Sequence, residues 1–168
     1  MQYALADAAA TEALGAAMAA PLRRASESRA VVLHLEGPLG AGKTTLVRGL
    51  LRGLGHRGRV RSPTFTLLEP YELPSLELIH LDLYRLADPG ELDYLGLLDM
   101  LGPGCAAVVE WAERGGDRLP GPDLRLALDY HGEGRRAVLA AETGTGRAIL
   151  DALSESARPD APKSSIDA

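Results

Sequence analysis

One segment constrains the fold of this chain more than any other. Residues 37–44, with the sequence GPLGAGKT, match the pattern G-x-x-x-x-G-K-[ST]. A short apolar run, AVVLHLE, precedes the segment at 30–36, and a helical pattern of apolar residues follows it until Gly55, a plausible helix stop. Glycines let successive backbone N–H groups turn inward around phosphate oxygens, and the following helix points its positive end at the same anion. The segment therefore predicts an α/β domain that binds a nucleotide through its phosphates.

Lysine is rare in this chain, which makes its presence in the loop informative. Lys43 and Lys163 are the only lysines, and every other basic position is arginine. A lysine ammonium is a compact charge that can reach the β and γ phosphates, whereas an arginine fork would not fit the tight loop. We expect the Thr44 hydroxyl to bind magnesium. The predicted phosphate-binding set is Gly37, Pro38, Leu39, Gly40, Ala41, Gly42, Lys43, Thr44 and Thr45.

Composition bounds the remaining possibilities. A chain of 168 residues with 46% hydrophobic and 24% charged residues predicts one ordinary globular domain. The sequence contains no apolar run near the ~20 residues of a membrane span and no secretory signal pattern. Cys105 is the single cysteine, which suits a reducing cytoplasm, and no Cys/His spacing suggests zinc. A net charge of −5 argues against broad, non-specific binding of nucleic acid.

The pattern along the chain predicts alternating helices and strands. One α/β P-loop domain is predicted over 1–153 and a polar, disordered tail over 154–168. Pro70 is expected to end its strand or to move it to a sheet edge. Helices are predicted at 7–20, 43–54, 88–101 and about 146–153; strands are predicted at 30–36, 64–73, 76–83, 105–111 and in a hairpin of 124–130 with 135–141.

Two carboxylates are candidates to complete the site. Asp82 ends the run LELIHL and Glu110 ends AAVVE. In open α/β sheets, ligands bind at the carboxyl ends of strands, although either acid could also be a solvated strand terminus. The chain has no asparagine, so it lacks the Asn-Lys-x-Asp signature of a GTPase, and it shows no clear lid of a small-molecule kinase. A compact ATPase or ATP-driven switch remains.

Four stretches together closely resemble one family: LEGPLGAGKTTLVRGLLRGLG at 35–55, VRSPTFTLLEPYE at 60–72, HLDLYRL at 80–86 and VVEWAERGGDRLP at 108–120. They are similar to the TsaE (formerly YjeE) family, the bacterial ATPase of tRNA threonylcarbamoyladenosine biosynthesis. The resemblance runs from about Thr11 to about Leu150. It implies a P-loop NTPase domain with a mixed parallel and antiparallel central sheet flanked by helices. It also implies ATP and Mg2+ as ligands and weak ATP hydrolysis.

The resemblance further implies partners. The family acts with the TsaD and TsaB proteins, and their complex transfers a threonylcarbamoyl group to an adenosine beside the anticodon of certain tRNAs. The ATP cycle of the family supports turnover of that complex and does not perform the transfer. Contact with tRNA is therefore expected to be indirect, if it occurs. The sequence leaves open whether the subunit touches tRNA.

Carried over by motif, several residues acquire expected roles. Thr44 and Glu110 resemble the magnesium ligands of the family, and Asp82 resembles the acid needed for hydrolysis. The division of labour between the two acids stays open. Catalytic residues are thus expected to be Asp82, Glu110 and Lys43, and the switch-like loop near the γ phosphate is expected to include Ser62, Pro63 and Thr64.

Other positions carry weaker expectations. Trp111 resembles a tryptophan beside the site, or is a packing residue, and Arg135 matches a Gly-Arg pair expected to approach the nucleotide. Residues before Thr11 are expected to border the adenine. The family usually has an acid where this chain has Pro38, and often a proline where it has Ala112; we expect ATP binding to survive both changes. The arginines at positions 48, 52, 57, 59 and 61 form either a basic face for tRNA or an acidic partner, or a solvated surface.

Two other functions stay open on the sequence. A kinase acting on a small metabolite would produce ADP only with an acceptor other than water. A nucleotide-controlled binding module would bind its partners in the ATP form even after Glu110→Gln. These differences decide between an enzyme and a switch.

Overall fold

Residues 1–156, the part of the chain that the computed structural model describes, form one mixed sheet with helices on both faces. The strands are β1 (Gln2–Leu5), β2 (Val31–Glu36), β3 (Leu68–Glu72), β4 (Glu77–Asp82), β5 (Cys105–Glu110), β6 (Leu124–His131) and β7 (Gly134–Ala141). The helices are α1 (Ala8–Ser26), α2 (Lys43–Gly53), α3 (Glu91–Leu95), α4 (Leu97–Met100) and α5 (Gly144–Ser156), with short 3-10 turns at Ala112–Arg114 and Gly116–Arg118.

The order of the strands places β2 at the centre of the sheet. The order is β1-β7-β6-β2-β5-β4-β3, and β2 pairs in parallel with both β5 and β6. Strands β4 and β5 are also parallel, whereas the pairs β1–β7, β6–β7 and β3–β4 are antiparallel. The predicted fold class is thereby confirmed. The carboxyl ends of β2, β4 and β5 meet at one edge of the sheet, where the loop after β2 begins.

Two apolar layers cover the sheet. Helices α1, α2 and α5 pack on one face, where Met18, Leu22 and Leu50 are fully or almost fully buried. On the other face, α3 and α4 pack through Leu92 and Leu97. Residues 31–35 of β2 are buried between these layers, as the short apolar run predicts. Val31, Leu33 and Leu35 pack on the α1–α2 face, whereas Val32 and the buried His34 lie on the other face.

Two glycines bring α1 and α2 into close contact. A Cβ atom built on Gly49 would lie 1.9 Å from the carbonyl oxygen of Glu12, and one on Gly15 would lie 2.1 Å from that of Leu46. The backbones of the helices therefore approach more closely than any side chain would permit. This contact fixes the position of α2, whose first turn carries the end of the phosphate-loop motif.

The structure corrects several predicted boundaries. Strand β3 begins at Leu68 and not at residue 64, because the backbone turns at Leu67 (φ 63°) and its N–H donates to the carbonyl of Pro63 at 2.7 Å. Strand β3 is an edge strand of the sheet, as expected for a strand that contains Pro70. The single helix predicted at 88–101 is wrong, because Gly96 (φ 68°) separates α3 from α4.

The ends of the chain also differ from the prediction. Strand β1 was not predicted, and α1 continues six residues beyond residue 20, through Pro21. Helix α5 extends to Ser156, so the first three residues of the predicted tail are helical. The remainder of that predicted tail, 157–168, lies outside the described residues. In the described part of the chain, no helix is both long and apolar enough to span a membrane.

Candidate nucleotide-binding site

The glycine-rich loop connects β2 to α2 at the centre of the sheet edge. Gly37, Gly40 and Gly42 have φ angles of 141°, 75° and 105°, all in the region that favours glycine. Gly37 also lies against β6, since a Cβ atom there would be 2.2 Å from the carbonyl oxygen of Leu128. An L-residue at Gly37 would thus be both strained and in collision with backbone. The loop conformation depends on these glycines.

Lys43 lies across the loop from the first turn of α2. Its Nζ donates to the carbonyl oxygens of Gly37 at 2.6 Å and Pro38 at 3.0 Å. Burial lowers the pKa of the Lys43 ammonium, and the nearby carboxylates of Glu110 and Asp82 oppose that shift. The amine is therefore held by loop carbonyls and faces two acids, a position from which a compact cation can serve phosphate oxygens.

The β6–β7 hairpin supports the loop from its outer side. Arg135 donates from Nε to the carbonyl of Ala41 at 3.0 Å and from Nη2 to that of Gly40 at 3.2 Å. The Tyr130 hydroxyl donates to the carbonyl of Leu39 at 2.8 Å, and the Arg135 guanidinium lies 4.4 Å from the centre of the Tyr130 ring. Three consecutive loop carbonyls are thereby held by two side chains of the hairpin. Arg135 reaches the loop backbone itself, a contact that the sequence did not indicate.

The two predicted carboxylates stand side by side. Parallel pairing of β4 with β5 puts Asp82 opposite Glu110, and the two residues are only 4% and 3% exposed. Both line a cavity of about 500 Å³ together with Lys43, Thr44 and Trp111. The sheet register therefore brings two strand ends that are 28 residues apart in the sequence to one point beside the loop.

The residues present fit a magnesium ion only in an open site. Within residues 1–156, no cluster of three or more His, Cys, Asp or Glu side chains could hold a metal. Mg2+ usually binds one or two carboxylates and completes its shell with water and substrate phosphates. Thr44 and Glu110 supply a hydroxyl and a carboxylate in the same cavity. The donor set suits a metal that arrives with a nucleotide.

Two side chains of the predicted switch loop form hydrogen bonds with Asp82. The Ser62 hydroxyl and the Thr64 hydroxyl both donate to Oδ2 of Asp82, the latter at 3.0 Å. The backbone N–H of Tyr84 donates to Oδ1 at 3.1 Å. Both oxygens of Asp82 thus have protein partners, and the acid links the loop to the strand end. Pro63 does not line this cavity but an adjacent one of about 480 Å³.

Trp111 combines the two roles that the sequence left open. It has a left-handed backbone (φ 56°) directly after β5, which turns the chain at the sheet edge. Its ring lies 4.8 Å from Lys43 Nζ and 5.1 Å from the ring of Tyr84. It also packs against the apolar layer on the α3–α4 face. Trp111 is both a packing residue and part of the cavity wall.

The predicted residues are distributed over adjoining cavities. The main cavity includes Leu39, Gly40, Gly42, Lys43, Thr44, Thr45, Ser62, Thr64, Asp82, Glu110 and Trp111. Gly37 and Pro38 face a neighbouring cavity of about 420 Å³, and Ala41 with Arg135 borders another of about 220 Å³. That last cavity is also lined by Asp7 and Thr11.

Sequence reasoning missed three residues at the site. Tyr84 and Arg85 line the main cavity, and His80 contacts Glu110 from within the sheet. All three belong to HLDLYRL, so the segment itself was the available signal. Among the arginines considered as a basic face, Arg52 pairs with Glu12. The described structure does not gather all five into one site.

The chain is similar to known proteins in both sequence and fold. The family model described as "Threonylcarbamoyl adenosine biosynthesis protein TsaE" matches residues 5–138. The tRNA threonylcarbamoyladenosine biosynthesis protein TsaE of Haemophilus influenzae is 44% identical over 126 residues, 75% of this chain and 80% of that protein. The Bacillus subtilis protein of the same name is 38% identical over 119 residues, 71% of this chain and 74% of its own. The crystal structure of Bacillus subtilis YdiB superposes with a TM-score of 0.72 at 28% identity, and covers 93% of this chain and 95% of YdiB.

Proposed function

Because the chain belongs to the TsaE family, we infer that it is the ATP-binding and weakly ATP-hydrolysing subunit required for threonylcarbamoyladenosine (t6A37) modification of tRNA. The single observation that supports this most is the convergence of the phosphate loop, Lys43 and the paired acids Asp82 and Glu110 on one cavity. A P-loop that only anchors a ligand would not require two buried carboxylates at its edge. The reaction is hydrolysis of ATP to ADP and phosphate.

Each residue at the loop has a role in this proposal. The backbone N–H groups of residues 37–45 bind the phosphates, and Lys43 neutralises charge on the β and γ groups. Thr44 and Glu110 hold Mg2+, which supplies charge stabilisation for the phosphoryl oxygens when it is bound. Asp82 orients the attacking water, because its two oxygens are positioned by Ser62, Thr64 and the Tyr84 N–H.

The base of the nucleotide is assigned to the cavity at the N-terminus of α1. Asp7, Thr11, Glu133 and Arg135 line this space of about 220 Å³ on the outer side of the loop. It adjoins the main cavity through Gly40 and Gly42. A nucleotide with its phosphates in the loop could extend across Gly42 into this space.

The proposed partners are the TsaD and TsaB proteins of the modifying complex, and contact with tRNA is indirect. The switch loop provides a route by which partners could influence hydrolysis, because Ser62 and Thr64 hold Asp82. The same loop exposes Phe65, whose side chain is 82% accessible. We place the protein in the cytoplasm, where tRNA is modified and where a single buried thiol such as that of Cys105 would stay reduced.

The experiment that tests the proposal is magnesium-dependent ATP hydrolysis by the purified chain, alone and with TsaD and TsaB. Slow hydrolysis should rise with the partners and should be lost in Lys43→Ala and Glu110→Ala. Turnover that instead requires a small-molecule acceptor would identify a kinase. Full support of tRNA modification by Glu110→Gln, without hydrolysis, would identify a nucleotide-controlled binding module.

A further inference from the structure

A fully buried histidine contacts the acid that the proposed function assigns to magnesium. His80 Nε2 lies 2.8 Å from Oε1 of Glu110, and the His80 side chain has no exposed surface. His80 precedes Asp82 by two residues on β4, so both side chains leave the same face of the strand. The bond therefore spans β4 and β5 beneath the carboxylate pair.

The ring has one polar partner in the described chain. Its other nitrogen, Nδ1, is buried and makes no hydrogen bond with residues 1–156. A carboxylate only accepts hydrogen bonds, so Nε2 of His80 is the donor to Glu110. A buried ring with an unsatisfied nitrogen costs free energy that an apolar side chain would avoid. A histidine at this position is therefore best explained by its hydrogen bond to Glu110, which an apolar side chain could not make.

The consequence for Glu110 is a fixed carboxylate. A carboxyl group at a strand end can rotate about its side-chain torsions, and both oxygens could then turn toward or away from the cavity. The bond to His80 holds Oε1, and Oε2 is then the oxygen that would serve the site. Partners of metal-binding side chains often act in this way, and their loss typically costs about 10–100-fold in metal affinity or activity.

We propose that His80 is a positioning residue, which orients the Glu110 carboxylate for the metal–nucleotide complex. This inference rests on the proposed function, since it assigns Glu110 to magnesium. The inference adds His80 to the site, a residue that belongs neither to the phosphate-loop motif nor to the pair of acids. His80 acts through Glu110 and does not contact the nucleotide.

The test compares two substitutions of His80 with a matched control. His80→Leu keeps the volume but removes the donor, whereas His80→Gln can restore an N–H donor near the position of Nε2. The control is His34→Leu. His34 is a buried histidine of β2 in the same sheet, and its Nε2 makes no hydrogen bond with residues 1–156. His34 lies on the opposite face, two residues after Val32 of the α3–α4 layer.

Two measurements are made on each protein. The first is Mn2+ affinity, by electron paramagnetic resonance, in the presence of a non-hydrolysable ATP analogue. The second is the rate of ATP hydrolysis at saturating nucleotide, with Mg2+ varied. We expect His80→Leu to weaken Mn2+ binding or slow hydrolysis by about tenfold, and His80→Gln to recover to within about threefold of the wild type. His34→Leu should stay within about twofold, and nucleotide binding in EDTA should not change.

A double-mutant cycle separates positioning from general structural damage. In a Glu110→Gln background, His80→Leu should have little further effect on Mn2+ binding, because the group through which it acts is already altered. An equal loss in both backgrounds, or no loss at all, overturns the inference. If Glu110→Gln itself leaves metal binding and hydrolysis unchanged, the assignment of Glu110 under the proposed function fails instead.

Discussion

The clamp that the β6–β7 hairpin forms on the phosphate loop yields a quantitative prediction for Arg135→Ala. Arg135 makes two hydrogen bonds to loop carbonyls, at 3.0 and 3.2 Å. Hydrogen bonds to charged groups are worth about 1.5–3 kcal/mol, but Arg135 is only partly buried, so about 0.5–1 kcal/mol for each bond is a better value. The loss of both bonds should therefore destabilise the ordered conformation of the phosphate loop by about 1–2 kcal/mol.

That cost should appear in nucleotide affinity. The loop must adopt its bound shape whenever phosphates bind, so a loop that is no longer ordered in advance pays for ordering at that moment. A loss of about 1–2 kcal/mol corresponds to a Kd for ATP that is about 5–30-fold weaker. Tyr130→Phe removes one neutral bond, to the Leu39 carbonyl, and should weaken affinity by only about twofold.

Arg135→Lys distinguishes the clamp from simple attraction of charge. Lysine keeps the positive charge but lacks the planar fork that reaches two adjacent carbonyls. Calorimetric titration with ATP should thus show that Arg135→Lys binds nearly as weakly as Arg135→Ala. Full recovery of affinity by lysine, or an unchanged Kd in Arg135→Ala, would refute the clamp and favour a direct contact with phosphate.

Three further predictions concern the scaffold. Gly49→Ala places a methyl group 1.9 Å from the Glu12 carbonyl, so the free energy of unfolding in urea should fall by about 2–3 kcal/mol, whereas Gly102→Ala, in open space, should change it little. Burial lowers the pKa of His34 below its ordinary 6.5, so the neutral ring contributes its full stability above pH 6.5. That stability is lost as the pH falls through the pKa of the folded state. Unfolding curves should therefore show that the wild type loses stability relative to His34→Leu between pH 8 and pH 5. Cys105 is buried, and burial also raises the pKa of its thiol. Because a reagent cannot reach the buried sulfur, it should label Cys105 only as fast as the protein opens, and rapid labelling of native protein would contradict the described packing.

Local patterns account for the parts of the fold that could be predicted. The strand and helix around the phosphate loop are recognisable because an apolar run, glycines and a helical period follow one another within 25 residues. The β6–β7 hairpin is similarly local, since its turn at Gly132 carries a positive φ angle of 59°. In both places, the residues that define the structure are neighbours in the chain.

Elements that depend on distant partners could not be predicted in the same way. Strand β1 has only four residues, and it exists because it pairs with β7 from the other end of the domain. The β-branched and aromatic residues at 64–66 favour a strand, yet the hydroxyls of Ser62 and Thr64 bond to Asp82 and the chain turns before β3. A pattern of apolar side chains contains no information about such a contact.

In the site as well, some residues could be predicted from motifs, whereas the contact of His80 depends on the register of the strands. The motif and the strand ends indicated Lys43, Asp82 and Glu110, but His80 looked like one more member of a buried strand. Its contact with Glu110 follows from the parallel register in which Asp82 lies opposite Glu110. His80 precedes Asp82 by two residues on the same face of β4, so this alignment brings its ring close to the Glu110 carboxylate. A shift of one residue between β4 and β5 would point the alternate side chains to this face and would separate the pair. The arrangement of the acids and of the histidine is therefore one consequence of strand register, and a variant that disturbs the register should impair metal binding even when the loop motif is intact.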